Sequence, residues 1–207
     1  MSDQLTSIEQ LEAVYGRAVP AAMTKEIDHI SIHYAQFINK APFVVLATSG
    51  PGGLDCSPRG DPPGFVRIQD EKTLLIPDRR GNNRIDTLKN LIENPEISLL
   101  FLIPGIGETL RVNSCAKIMI SPELIESFRM QDKLPRSIVQ VNVRSVYFQC
   151  QKALVRSGLW RAETQIPRSD LPSTGTMLEH LAKANHQEFN GKSYDSGYSE
   201  HMKKTIY

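Results

Sequence analysis

Three arginines fall within six residues where a predicted strand gives way to a predicted helix. Arg79, Arg80 and Arg84 have no acidic residue between them, and Gly81-Asn82-Asn83 lies inside the group. These small and polar residues suit a tight turn with an Asn N-cap, and a helix N-terminus presents free N–H groups and a positive dipole end. Guanidinium groups add paired donors for phosphate oxygens. The segment therefore predicts an anion site, while a solvated basic turn that merely caps the helix explains it equally well.

A further arginine precedes this segment in Ser57-Pro58-Arg59-Gly60-Asp61, which continues into Pro62-Pro63-Gly64. A strand rarely ends in such a run unless its backbone takes an unusual path. Arg59 is therefore a candidate for the same anion. The alternative is a rigid surface loop whose Arg59–Asp61 pair contributes little, and this second signal is weak when it stands alone.

Two later positions are less informative by themselves. Thr109-Leu110-Arg111 begins a strand after a glycine-containing turn, and a hairpin with an exposed ion pair explains it without any ligand. Trp160 is the single tryptophan of the chain, and a lone tryptophan is more typical of a core or an interface than of ring stacking. No residue is identified as catalytic.

Composition argues against several functional classes. The chain has 207 residues and a net charge of +1, so binding of nucleic acid through the arginine run is not expected. The three cysteines lack C-x-x-C spacing and the histidines do not cluster, so no metal site is predicted. No secretory leader and no apolar run of membrane length are visible, which favours a cytoplasmic protein without membrane contact.

The elements that must position these residues follow from turn residues and periodicity. Helices are expected between Ser7 and Gly16, from Thr24, over 85–93 and over 176–184. Strands are expected over 43–48, 54–59, 65–69, 73–76, 96–103, 109–120 and 138–148. Short hairpins join most of the strands. This pattern is typical of a small antiparallel barrel, so the expected fold class is mainly β with peripheral helices.

Taken together, these segments resemble the FMN-binding split-barrel flavoproteins of the pyridoxamine 5'-phosphate oxidase class. The resemblance covers residues 43–160 and rests on the order and spacing of segments 57–66, 74–84, 94–95, 99–101, 107–112 and 152–160. Within this class the chain is similar to a subgroup whose substrates are mostly unassigned.

The resemblance implies a six-stranded antiparallel split β-barrel that forms a homodimer, with FMN in clefts at the subunit interface. It places the FMN phosphate at the strand-to-helix segment and Arg59 near the phosphate or ribityl chain. It places residues 109–111 near the flavin ring, across the dimer, and Trp160 near the flavin or substrate. The implied cofactor-binding residues are Ser57, Arg59, Ile76, Pro77, Asp78, Arg80, Asn82, Asn83, Arg84, Thr109, Leu110, Arg111 and Trp160.

A single domain over residues 1–207 is expected, with a helical extension at 1–40, a barrel core at 43–160 and a C-terminal extension at 161–207. The Arg-x-His-type motif of the vitamin B6 oxidases is absent after Trp160, so true pyridoxamine phosphate oxidase activity is not expected. The predicted function is an FMN-dependent oxidoreductase that acts on an unidentified small molecule. A non-catalytic flavin-binding or flavin-sensing protein stays open, as does haem or a deazaflavin in place of FMN.

Overall fold

One antiparallel sheet organises the computed structural model, which describes residues 3–207. Its strands are β1 (Phe43–Gly50), β2 (Gly53–Gly60), β3 (Arg67–Asp70), β4 (Thr73–Asp78), β5 (Glu96–Leu102), β6 (Thr109–Met119) and β7 (Ser137–Gln149). They lie in the order β2-β1-β5-β6-β7-β4-β3, and neighbouring strands are antiparallel. The predicted fold class is confirmed. The open sheet has seven strands, the number that the turn residues and periodicity predicted, and not the six that the resemblance implies.

The strand register separates a core face from an outer face. Four fully buried residues form a row across the core face: Leu46, Leu99, Val112 and Val146. A step of one residue along each strand reaches the opposite face, because side chains alternate. There a second row, named here the outer row, consists of the half-buried residues Val45, Leu100, Arg111 and Tyr147.

Residues 3–207 also contain eight α-helices. They are α1 (Ile8–Tyr15), α2 (Pro20–Thr24), α3 (Ile32–Lys40), α4 (Asp86–Glu93), α5 (Pro122–Ser127), α6 (Lys152–Ser157), α7 (Thr174–Ala184) and α8 (Gly191–Thr205). Helix α4 packs on β1, and α7 packs on α8. None of the helices in this described range has the length and apolar character that a bilayer crossing requires.

The helix predicted to begin at Thr24 begins instead at Ile32. Ser31 is its N-cap, and the Ser31 hydroxyl accepts a hydrogen bond from a backbone N–H of the first turn. Ile27, which had matched the helical spacing, forms a β-bridge with Val146 of β7. Backbone pairing with the sheet therefore overrides the local periodicity.

Helix α4 starts at a left-handed residue and not at an Asn N-cap. Ile85 occupies the cap position with a φ of 51° and makes no side-chain cap bond. The Asn82 side chain instead accepts a hydrogen bond from the backbone N–H of Arg84 at 3.0 Å. The asparagine thus shapes the turn before the helix, and the prediction that it caps the helix is wrong.

Candidate functional site

The segment between β4 and α4 forms one wall of a cavity of about 730 Å³. The second half of β2 forms another wall, and the beginning of β7 together with Ile206 and Tyr207 completes the enclosure. Eight of the thirteen predicted cofactor-binding residues line this cavity: Ser57, Arg59, Pro77, Asp78, Arg80, Asn82, Asn83 and Arg84. The structure therefore brings together the two arginine-bearing segments that the sequence singled out.

Five arginines line the cavity, and we call them the arginine wall. Four have a polar partner: Arg59 with Asp78 at 3.4 Å, Arg79 with Asp61 at 2.9 Å, Arg84 with Asp86, and Arg136 with Asn83 at 2.9 Å. Arg80 is exposed, and neither it nor Gly81 makes a hydrogen bond or ion pair within residues 3–207. Arg80 can therefore bind a ligand oxygen without giving up an existing contact.

Two hydroxyls on the cavity surface are already bound to a carboxylate. The Ser57 hydroxyl donates to Asp55 Oδ2 at 2.9 Å, and the Thr87 hydroxyl donates to the same oxygen at 2.7 Å. Because a hydroxyl has a single proton, Ser57 can only accept a further hydrogen bond in this arrangement. Asp55 therefore ties β2 to the first turn of α4, and arginine and backbone N–H groups are left as donors for an anion.

The Asp78 carboxyl lines the same cavity as the arginine wall and pairs with Arg59. The Asp78 side chain is 15% exposed, and burial raises the pKa of this carboxyl above its ordinary value of 3.8, although the Arg59 guanidinium opposes that shift. Stability from a carboxyl with a raised folded-state pKa is fully present below the unfolded pKa. That stability is lost as the pH rises through the folded-state pKa.

The stability of Asp78→Asn relative to the wild type should therefore increase as the pH rises from about 3.5 to about 7, because the wild-type carboxyl loses stability over this range and the amide does not titrate. Denaturant unfolding at both pH values measures the difference. Asp132→Asn is the matched control, since Asp132 is exposed and lies outside the cavity. A difference between Asp78→Asn and wild type that does not change with pH would contradict the raised pKa.

Five predicted residues lie outside the cavity: Ile76, Thr109, Leu110, Arg111 and Trp160. Ile76 is 1% exposed and belongs to the hydrophobic core, so its side chain supports β4 from behind. Thr109 and Leu110 are buried at the beginning of β6. The described subunit does not bring these residues to the arginine wall, and their role in ligand binding stays a prediction.

Arg111 and Trp160 are each held by a hydrogen bond away from the cavity. Arg111 lies in the outer row, and its guanidinium donates to the Tyr147 hydroxyl at 3.1 Å. The Trp160 ring N–H donates to the carbonyl of Ile106 at 2.8 Å, which fixes the segment after α6 to the turn between β5 and β6. Both side chains thus lie outside the arginine wall.

Sequence reasoning missed several cavity residues, among them Arg136 and Tyr207. Arg136 precedes β7, and its backbone N–H donates to the carbonyl of Asp78 at 3.1 Å. Tyr207 follows α8, and its hydroxyl donates to Asp61 at 2.7 Å. Both residues reach the cavity only through tertiary folding, so no local pattern could have identified them.

A family model described as pyridoxamine 5'-phosphate oxidase matches residues 30–150, which is more than half of the chain. The chain belongs to the pyridoxamine 5'-phosphate oxidase family. The match contains the whole sheet and the segment between β4 and α4, and it confirms the resemblance seen in the sequence.

Several solved structures are similar to part of this chain. HupZ of Group A Streptococcus is 17% identical with a TM-score of 0.49, over 58% of this chain and 94% of its own. A Clostridium acetobutylicum protein related to general stress protein 26, of the pyridoxinephosphate oxidase family, is 12% identical with a TM-score of 0.45, over 57% and 87%. An F420 reductase is 17% identical with a TM-score of 0.41, over 57% and 98%. No curated protein matches the sequence.

Proposed function

We propose that this protein is a flavoprotein that binds FMN with the phosphate group against the arginine wall. The observation that carries the proposal is the unpartnered pair Arg80 and Gly81, which lies among the cavity's other arginines in a chain of this family. A phosphate ester is the ligand whose charge and oxygen geometry match guanidinium and backbone donors together.

The donor set at the cavity fits a phosphate group. Arg80 supplies paired N–H donors, and a side chain at Gly81 would meet no atom within 4 Å, so the backbone there is open to a ligand. The cavity's carboxylates are Asp55, Asp78 and Asp86, and each already accepts from a hydroxyl or a guanidinium. Repulsion between these carboxylates and a bound anion is thereby reduced.

FMN supplies two-electron redox chemistry when bound. We propose that the chain is an oxidoreductase that acts on a small molecule, and that its own residues bind the phosphate, orient the cofactor and shape the surroundings of the ring. A flavin can accept a hydride without a protein acid or base in principle, so a catalytic residue is not required for this proposal.

We propose further that the protein is a homodimer with the FMN site at the subunit interface. The face of the sheet that carries the outer row also carries Phe43, which is 38% exposed, and half-buried Leu102. A second subunit on this face would bury apolar surface. A second subunit would also explain how residues 109–111 and Trp160 contribute to an FMN site although they lie outside the cavity of their own subunit, because they would then face the cavity of the partner.

Leu100→Arg should convert the dimer to a monomer, because a charge at the centre of the outer row would be buried at the interface. Light scattering at micromolar concentration measures the mass, for which the wild type should give twice 23.2 kDa. Ile120→Arg is the control, since Ile120 is 73% exposed and directly follows β6. A wild type of monomeric mass, or a Leu100→Arg protein of dimeric mass, would contradict the proposed interface.

Titration with FMN and with riboflavin tests the cofactor proposal most directly. The two ligands share the ring and the ribityl chain and differ in the phosphate. We expect uptake of one FMN per subunit, seen in the flavin absorbance bands, and an affinity for riboflavin lower by at least about a hundredfold. Equal affinity for the two ligands would show that the phosphate does not bind at the arginine wall. If neither ligand is taken up, the cofactor proposal is overturned.

Steady-state turnover with NADH, NADPH and oxygen then tests the redox role. Consumption of a donor by the FMN-loaded protein supports an oxidoreductase. A loaded protein that turns over none of these donors would favour the non-catalytic binding function instead. If neither flavin is taken up, titrations with haem and with a deazaflavin distinguish the remaining cofactors.

A further inference from the structure

The three carboxyl groups that line the cavity differ in how they are held. Asp55 accepts hydrogen bonds from two hydroxyls, at 2.9 and 2.7 Å. Asp86 pairs with Arg84, and this hydrogen bond lowers the pKa of the Asp86 carboxyl, whose side chain is 35% exposed. Asp78 is largely buried, with a side chain 15% exposed, and its cation Arg59 lies at 3.4 Å. Asp78 thus combines low exposure with a long contact to its partner.

Two cations act on the Asp78 carboxyl. Arg59 belongs to β2, and Arg136 directly precedes β7. Guanidinium groups stay charged in proteins, so the carboxyl is the group that titrates among these three residues. Burial outweighs both cations and raises the pKa of Asp78. A proton therefore binds to this carboxyl at a higher pH than to an exposed aspartate.

An anion bound in the cavity acts on the same carboxyl. The cavity volume of about 730 Å³ gives it a width comparable to the screening length of about 10 Å in about 0.1 M salt, so salt does not isolate the anion from Asp78. A negative charge nearby favours the protonated form of a carboxyl. A phosphate also attracts the Arg59 guanidinium, which is the partner of Asp78. Phosphate binding and ionisation of Asp78 therefore oppose each other.

We propose that Asp78 competes with a bound phosphate group for Arg59 and takes up a proton from solvent when the phosphate binds. The coupling is reciprocal, so protonation of Asp78 strengthens phosphate binding by the same factor. Asp78 is a positioning residue, because it acts on the ligand through Arg59 and through its own charge. For a ligand of constant charge, affinity falls as the pH rises through the range in which Asp78 ionises. The identity of the ligand rests on the proposed function.

FMN titrations of the wild type and of Asp78→Asn at about pH 5 and about pH 8 test this coupling. The asparagine keeps the size of the side chain and does not ionise. Asp78→Asn should bind FMN about tenfold more tightly than the wild type at the higher pH, and within about threefold of it at the lower pH, where the wild-type carboxyl is largely protonated in the complex. Ionisation of the FMN phosphate cancels, because the two proteins are compared at the same pH. Asp132→Asn, at an exposed position outside the cavity, is the control and should match the wild type at both pH values.

Asp78→Ser, a second neutral variant, should give the same affinity ratios and replaces Asp78→Asn if the amide impairs folding. Two results would overturn the proposal. One is an affinity ratio between variant and wild type that is equal at both pH values. The other is weaker FMN binding by the neutral variants at the higher pH, which would make Asp78 a direct acceptor for the ligand.

Should the wild type take up no FMN, the proposed function fails, and inorganic sulfate tests the coupling independently. The charge of sulfate is constant over this pH range. The rise in thermal unfolding midpoint with sulfate, measured against chloride at equal ionic strength, should decrease between the lower and the higher pH more in the wild type than in Asp78→Asn. An equal decrease in the two proteins, or no effect of sulfate on either, would exclude the coupling.

Discussion

Arg79→Met should lower the free energy of unfolding by about 3 to 5 kcal/mol. The Arg79 side chain is 15% exposed and pairs with Asp61, whose side chain is 1% exposed. A second guanidinium nitrogen donates to the carbonyl of Phe128 at 2.7 Å. Truncating the cation therefore leaves a buried carboxylate without its charged partner and a carbonyl without its donor. This is the largest stability effect expected from any single residue of the cavity.

Urea unfolding at neutral pH measures this loss. Arg156→Met is the control, because Arg156 is exposed and makes no contact with another charged group in the described part of the chain. The double variant Arg79→Met/Asp61→Asn should recover part of the lost stability, since it removes the uncompensated charge as well. A loss below about 1 kcal/mol in the single variant would mean that water reaches Asp61 freely.

Arg80→Gln should weaken FMN binding by about ten- to a hundredfold without changing the free energy of unfolding. Arg80 is exposed and has no partner within residues 3–207, so its removal breaks nothing in the ligand-free protein. The same substitution at Arg156 removes one charge at a position outside the cavity and should leave affinity within about twofold. Titration by flavin fluorescence, with thermal unfolding of both variants, separates affinity from stability.

The comparison with riboflavin sharpens this prediction. If Arg80 binds the phosphate, the substitution should weaken FMN binding and leave riboflavin binding unchanged. An equal loss for both ligands would assign Arg80 to the ring or the ribityl chain. Unchanged FMN affinity would leave the exposed arginine without a role in the cavity, and would favour the solvated turn that the sequence also allowed.

The sheet could be predicted from the sequence because each strand carries its own signal. Strand β5 alternates buried and half-buried residues from Ile97 onward, and glycine-rich turns separate the hairpins. Helix α3 was placed too early because the bridge between Ile27 and Val146 joins residues far apart in the sequence. Helix α8 was missed because it packs on α7 through the close approach of Gly175 and Gly191, a tertiary contact that leaves no local periodicity in the sequence.

The cavity was predictable in part for the same reason. The arginine run and the segment around Arg59 are local patterns. Strands β2 and β4 lie far apart in the strand order, and the Arg59–Asp78 ion pair and the packing of α4 on β1 and β2 show that the folded sheet brings the two patterns together. Arg136 and Tyr207 come from other segments and carry no such pattern. The assignment of Thr109 and Trp160 to a cofactor, and the single-domain organisation, stay predictions.

The single tryptophan, Trp160, provides an internal fluorescence donor for measuring its distance to a bound flavin. Trp160 is fixed by its hydrogen bond to Ile106, so its indole has a defined position and orientation relative to the sheet. Indole emission overlaps flavin absorption, and energy transfer between the two falls steeply with their separation. One emission spectrum therefore reports how far the bound ring lies from a single known point. Strong transfer in the wild type that weakens in the Leu100→Arg protein would locate that point on the neighbouring subunit.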